Sequence, residues 1–457
     1  MGAASSGGAP RPAAPAPSDR GAPRPPPGGE ARPALSLHAW NSPPVVAVGL
    51  VAVAIGFGQF GAVAALGDVA KSFGHMTHGT SFSDQAGLSG TMLGIGLAVL
   101  RLASLGGLPL AGLADRFGRR STLVAFAAFG LLFTVLAALS PSYWWFVAIF
   151  ALGRPLLSAG NGVASVSAAE LTPSSDRTKA VAMIAAGYGV GAGITALIHS
   201  AGHTTLGFRG VFALAAVPLV LLPLVARRVR EPERYEAVTA TEHRPPVLGP
   251  VARPFRRRLL IVAAVTFAIS IITGPANSFV FLYAQNVRHQ SGLVTSAMVV
   301  AAGFTGLLGL LAGRALADRL GRRPAVAIAM VGLACFGVLT YSGSTPGLLI
   351  GYVAGVLAGG VLAPGAGALV NELFPTAVRA SVSGWTVAAG VLGAVTGLLV
   401  FGALADANPG NAAGWAAAIT FFPMLPAAAL LAFLPETKGL EPEQLWAEPG
   451  EPPPTPS

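Results

Sequence analysis

The chain has 457 residues, 53% of them hydrophobic and only 11% charged, with a formal net charge of +10. A water-soluble globule carries about a quarter of its residues charged, so this composition excludes one and indicates a polytopic membrane protein. The positive excess does not indicate nucleic-acid binding, because Lys and Arg lie in short segments beside apolar runs. The single cysteine, Cys335, gives no basis for disulfide or redox chemistry.

Residues 1–43 are dominated by Pro, Ala, Gly and Arg and lack the continuous apolar core of a signal peptide. They read as a disordered cytoplasmic tail. Twelve apolar runs follow, near 44–67, 86–111, 121–139, 144–169, 179–200, 208–226, 259–283, 293–316, 325–342, 347–370, 381–404 and 413–434. Each can cross a hydrocarbon layer of about 30 Å as a helix, the form in which one segment satisfies its own backbone in lipid. The expected fold is an all-α membrane protein of twelve transmembrane helices. They form two six-helix bundles, 44–226 and 259–435, joined by a cytoplasmic linker at 227–258 and followed by a disordered tail at 436–457.

Lys and Arg concentrate after spans two, four, six, eight and ten and in the tails, whereas the opposite loops hold only Lys71, Arg209 and Arg288. Positive charge is retained on the cytoplasmic side, so both termini are expected there, in a plasma membrane of the bacterial inner-membrane kind. Tyr143, Trp144, Trp145 and Trp415 begin their spans at the outer interface, where amphipathic rings prefer to sit.

Two segments carry the densest pattern. Gly112-Leu113-Ala114-Asp115-Arg116-Phe117-Gly118-Arg119-Arg120 follows span two and Ala315-Leu316-Ala317-Asp318-Arg319-Leu320-Gly321-Arg322-Arg323 follows span eight, with acids 318 − 115 = 203 positions apart. Both read as tight loops at the membrane surface. Glu170-Leu171-Thr172-Pro173 with Arg177 after span four matches Glu372-Leu373-Phe374-Pro375 with Arg379 after span ten, at an offset of 372 − 170 = 202. One six-helix half is therefore written twice, in the same orientation.

These doubled segments resemble the loop signature of the major facilitator superfamily. The Glu-x-x-Pro-x-x-x-Arg segments, Pro435-Glu436-Thr437-Lys438-Gly439 and, more loosely, Glu231-Pro232-Glu233-Arg234 resemble its branch of sugar porters and metabolite or aromatic-acid proton symporters. The resemblance covers about residues 44–440 and implies a secondary transporter whose halves rock about a central site, expected to act as a monomer. It implies a conformational gate formed by Gly112, Asp115, Arg116, Gly118, Arg119, Arg120, Asp318, Arg319, Gly321, Arg322, Arg323, Glu170, Arg177, Glu372 and Arg379. Asp115 would act against charges and a helix end of the other half.

Polar side chains inside the membrane are costly and mark functional sites. Arg154, Ser158, Asn161 and Ser165 fall on one face of span four, Thr266, Ser270, Thr273 and Asn277 on one face of span seven, and Tyr188, Thr195 and His199 on span five. At a 1.5 Å rise per residue, Arg154 lies about 15 Å and Arg101 about 22 Å along their spans. The resemblance assigns Arg154 to a fourth-helix motif. Substrate-binding candidates are Arg154, Arg101, Asn161, Ser158, Gln59, Thr273 and Asn277. Gly58-Gln59-Phe60 stands where related symporters carry an acid, which leaves Asp68 and His199 as proton-coupling candidates, since arginine does not deprotonate in proteins.

Two buried cations without nearby acids favour a small organic acid over a neutral sugar. The expected function is alternating-access transport, with proton symport as one mode. The alternatives are a proton-coupled efflux antiporter, although Gly187–Gly193 lacks the proline of that group, and a non-transporting receptor or scaffold. No nucleotide loop, metal-spaced His/Cys set or catalytic nucleophile is present, so no enzyme activity, cofactor or metal is expected; the partners are a small-molecule substrate, protons and the lipid bilayer.

Overall fold

The computed structural model describes residues 39–173, 175–202, 206–231, 249, 251, 253–407 and 412–439. Among them are twelve helices long and apolar enough to cross a membrane. In chain order they are α1 (Pro43–Ala64), α2 (Gly90–Phe117), α3 (Arg119–Ala137), α4 (Tyr143–Glu170), α5 (Arg177–Ser200), α6 (Gly207–Ala226), α7 (Arg253–Val287), α8 (Gly292–Leu320), α9 (Arg322–Thr340), α10 (Thr345–Leu373), α11 (Val378–Ala407) and α12 (Ala412–Phe433). The expected tail before residue 39, most of the linker and the segment beyond residue 439 lie outside the described residues.

Helix starts follow from local sequence. Ser89, Ser142, Ser291 and Ser344 stand just before α2, α4, α8 and α10, and each hydroxyl accepts an N–H of the first turn, from Met92, Trp145, Val294 and Gly347. Such caps satisfy donors that a helix cannot satisfy itself. The pairs Ser89/Ser291 and Ser142/Ser344 also keep the 202-residue offset.

The two signature segments are not loops. α2 continues past a helical turn at Gly112 through Leu113–Phe117 and α8 runs through Leu320 as helix, and the chain changes direction only at Gly118 and Gly321. Gly118 (φ 92°) and Gly321 (φ 105°) adopt the left-handed region that a side chain disfavours, so each turns the chain directly into the next helix. Leu, Ala and Arg are strong helix formers, which is why charge alone gave the wrong boundary. Gly112 lies within the helix at φ −65°. Its backbone makes no demand for glycine, which accounts for Ala315 in the second copy.

The first six helices pack together and the last six pack together, with α1 against α5 and α7 against α11 as corresponding pairs. The halves meet mainly where α2 lies on α11 and α5 on α8. Along the first seam the backbones touch: a Cβ on Gly402 would stand 2.3 Å from the Gly90 carbonyl. Small residues permit this approach in lipid, where van der Waals packing drives helix association.

Candidate functional site

In the middle of the first half, the buried Arg154 of α4 donates through Nη1 to the Gln59 backbone carbonyl and to Gln59 Oε1 on α1, each at 3.3 Å. Tyr188 of α5 donates its hydroxyl to the same Oε1 at 3.1 Å. One amide oxygen thus gathers α1, α4 and α5. Arg154 Nε is buried without a hydrogen bond, and the guanidinium lies 6.0 Å from the Phe150 ring centroid. Arg101 of α2 is half-buried. Among the described residues neither arginine pairs with a carboxylate. A buried cation without a counter-ion, such as Arg154, is unfavourable unless another group compensates it.

The other half faces this cluster through α7. Phe60, next to Gln59, meets Phe281 of α7 edge to face at a centroid distance of 5.8 Å. Asn277 and Thr273 precede Phe281 by four and eight residues and share its face of the helix. Asn277 is exposed although it stands in the middle of a transmembrane helix. A cavity of about 340 Å³ between α7, α8, α9 and α10 is lined by Thr273, Asn277 and Tyr352.

The polar faces expected from sequence do not all serve one cavity. Thr195 is buried and donates to the Phe57 carbonyl at 3.1 Å, tying α5 to α1. Ser165 donates to the Asn161 carbonyl, and Ser158 packs where a Cβ on Gly107 of α2 would stand. Asn161 Oδ1 is buried without a partner. His199 and Asp68, 131 positions apart, meet at 2.8 Å between Nε2 and Oδ2, with the imidazole fully buried. Asp68 belongs to a separate short helix, Leu66–Phe73, that follows α1.

The signature segments form two matching charge clusters. In the first half Arg119 bridges Asp115 (2.8 Å) and Glu170 (3.2 Å), and Glu231 accepts the N–H groups of Arg119 and Arg120. In the second half Arg322 pairs with Asp318 (3.7 Å) and Glu372 (3.5 Å), and Glu436 accepts the N–H groups of Arg322 and Arg323 at 2.8 and 3.1 Å. Arg120 and Arg323 reach back to the Ala226 and Ala432 carbonyls at the ends of α6 and α12. Arg177 and Arg379 donate to the Ala169 and Asn371 carbonyls that end α4 and α10. Arg116 lies on the Phe117 ring, and the Arg319 carbonyl accepts Lys438 Nζ. Glu436, expected in a disordered tail, is thus an ordered cap on α9.

Hydrogen bonds join the halves at the end opposite these clusters. Asp406 of α11 accepts the N–H groups of Gly90 and Thr91 at the start of α2, at 2.7 and 2.8 Å. Asn286 of α7 donates to the carbonyls of Gly67 (3.2 Å) and Ala86 (3.5 Å). Phe82 and Phe279 pack across the same seam. Neither Asp406 nor Asn286 was a sequence candidate. A signal for Asp406 existed: an acid in the last turn of a helix opposes that helix's dipole, so it needs a partner elsewhere.

Comparison with known proteins agrees with this architecture. The family model for the Major Facilitator Superfamily matches residues 46–315 and 298–454. The chain belongs to the major facilitator superfamily. It is 29% identical over 382 residues to the 3-(3-hydroxy-phenyl)propionate transporter of Escherichia coli, covering 79% of this chain and 86% of that one. It is 25% identical over 317 residues to a probable 4-methylmuconolactone transporter of Cupriavidus pinatubonensis, covering 65% and 72%. The fold matches the crystal structure of a D-xylose-proton symporter with a TM-score of 0.68 at 22% identity, over 87% of this chain and 98% of that chain. It also matches the inward-open xylose transporter XylE from E. coli, with a TM-score of 0.67 at 20% identity over 88% and 98%. The chain is a multi-pass membrane transporter of small molecules.

Proposed function

We propose that the protein carries a small organic anion by alternating access, in symport with protons. The observation that carries this reading is the buried Arg154, which, like the half-buried Arg101 of α2, has no carboxylate partner among the described residues. A carboxylate substrate would compensate both charges and accept a bidentate pair of hydrogen bonds from a guanidinium. The names of the Escherichia coli and Cupriavidus relatives support an aromatic or lactone acid as cargo. The Arg-rich clusters support a cytoplasmic position for their end of the molecule, so the seam held by Asp406 and Asn286 faces outward and is closed.

The Asp68–His199 pair is the proton site of this reading. It stands behind the outer seam: Gly67 accepts from Asn286, and the Ser200 carbonyl abuts Gly292 at the start of α8. Gaining or losing a proton there acts on both contacts. The test is uptake into proteoliposomes of aliphatic and aromatic carboxylates, xylose and a cationic drug, with and without a pH gradient. Carboxylates are expected to accumulate under an acid-outside gradient, and Arg154→Ala to abolish this. Asp68→Asn should exchange substrate without accumulating it. Normal carboxylate uptake by Arg154→Ala would overturn the anion site.

A further inference from the structure

A second cavity, of about 360 Å³, lies in the outer face between the halves. The short helix Phe82–Ala86 of the first half contributes Gln85, and the end of α7 contributes Tyr283 and Arg288. Arg288 stands eleven residues beyond Asn277, about 16 Å along the helix at 1.5 Å per residue, so this cavity is separate from the central site. The chain carrying Arg288 is unusual. α7 widens into a π-helical turn over Tyr283–Val287, and His289 adopts φ 50°. Single π turns recur at functional sites.

Donors at this cavity stand without an acceptor. Arg288 Nε is buried and makes no hydrogen bond, and among the described residues the guanidinium has no ion pair. The Tyr283 hydroxyl accepts the Gly343 N–H at 3.1 Å and keeps its own proton for a further acceptor. The nearest acid in sequence, Asp84, is occupied by Thr77 and Ser81 and is not among the lining residues. We infer that this cavity is an anion site for a small carboxylate, held by the Arg288 fork, the Tyr283 O–H and the Gln85 amide. Its volume is near the lower end of small-molecule pockets, which begin at about 300 Å³. Because Gln85 and Arg288 come from different halves, the ligand binds the closed seam alone and stabilises it by linkage.

The test is calorimetric titration of the purified full chain with benzoate, and with benzamide as a neutral isostere. In Arg154→Ala, which lacks the proposed transport site, one equivalent of benzoate should still bind and benzamide should not. Adding Arg288→Gln should weaken that binding at least tenfold, and Gln85→Ala should weaken it less. If Arg154→Ala binds no benzoate, if Arg288→Gln leaves its binding unchanged, or if benzamide binds equally, the outer site is refuted. Failure of the transport reading gives a different result: wild type and Arg154→Ala then bind benzoate identically.

Discussion

Replacing Asp406 by Asn removes one charge and one of two acceptor oxygens from the start of α2 while keeping the side chain's size. The carboxylate accepts Gly90 and Thr91 at 2.7 and 2.8 Å, lengths typical of charge-assisted bonds. A carboxylate at a helix N-terminus contributes about 0.3 to 1 kcal/mol when exposed and about 2 kcal/mol when partly buried. Asp406 is itself exposed whereas Gly90 is buried, which points to about 1 kcal/mol. That shifts the balance between closed and open outer seams roughly fivefold towards open. Nitroxides on the exposed Thr80 and Leu293, in a Cys335→Ser background, report the distance across the seam by double electron–electron resonance. The longer-distance population should rise about fivefold in Asp406→Asn. An unchanged distribution would mean that packing alone closes the seam and the cap does nothing.

Three other outcomes follow from the same geometry. Asp115→Asn should insert normally and transport poorly, read by membrane abundance against uptake, whereas Asp318→Asn, whose carboxylate is 58% exposed and makes only long ion pairs, should cost less. Gln59→Glu places a charge on the atom that accepts Arg154 and Tyr188; it should weaken carboxylate binding at least tenfold by competing for Arg154, as measured by substrate protection in thermal melts. Glu436→Gln should lower stability by about 0.5 to 1 kcal/mol at neutral pH, the range of an exposed helix cap. Burial pushes the Glu436 carboxyl up, but the N–H groups of Arg322, Lys438, Arg323 and Thr437 outweigh it and hold the group below its ordinary 4.5. A carboxyl lowered on folding stabilises above its unfolded value and loses that contribution as pH falls through the folded one. The two proteins should therefore differ at pH 7 and converge in melts as pH falls below the lowered folded value of Glu436.

The twelve spans were legible because hydropathy over some twenty residues is a property of composition, and the doubled motifs gave the repeat. Boundaries were not, since Leu113–Phe117 continue as helix through their charges and only Gly118 stops it. At the site, sequence could identify Arg154 and Gln59 as costly polar groups but not as partners 95 positions apart. Periodicity likewise placed Tyr188, Thr195 and His199 on one helix, yet three different elements or residues receive them: Gln59, the α1 backbone and Asp68. Side-chain spacing defines a face, and the neighbour that meets each turn of it depends on helix crossing, which spacing does not encode. Asn286 escaped because it lies past the apolar run, in the π turn that extends α7.

α2 and α11 run in opposite directions along their seam, and each ends in an acid that its own dipole disfavours: Asp115 in the last turn of α2, Asp406 in that of α11. Each acid gains by meeting the start of the other helix. Asp406 accepts the N–H groups at the start of α2, and Asp115 has Arg119 of its own half as one partner, at 2.8 Å. We propose that rocking which opens the outer end brings the other ends together, so that one cap forms as the other breaks. The difference between the two states is then a difference between two similar terms, small enough for cargo and protons to tip. On this account the single substitutions at Asp115 and Asp406 displace the seam in opposite senses. The double variant should return the Thr80–Leu293 distance distribution towards wild type, and a double variant that keeps the full Asp406→Asn opening would show that the two acids do not oppose one another.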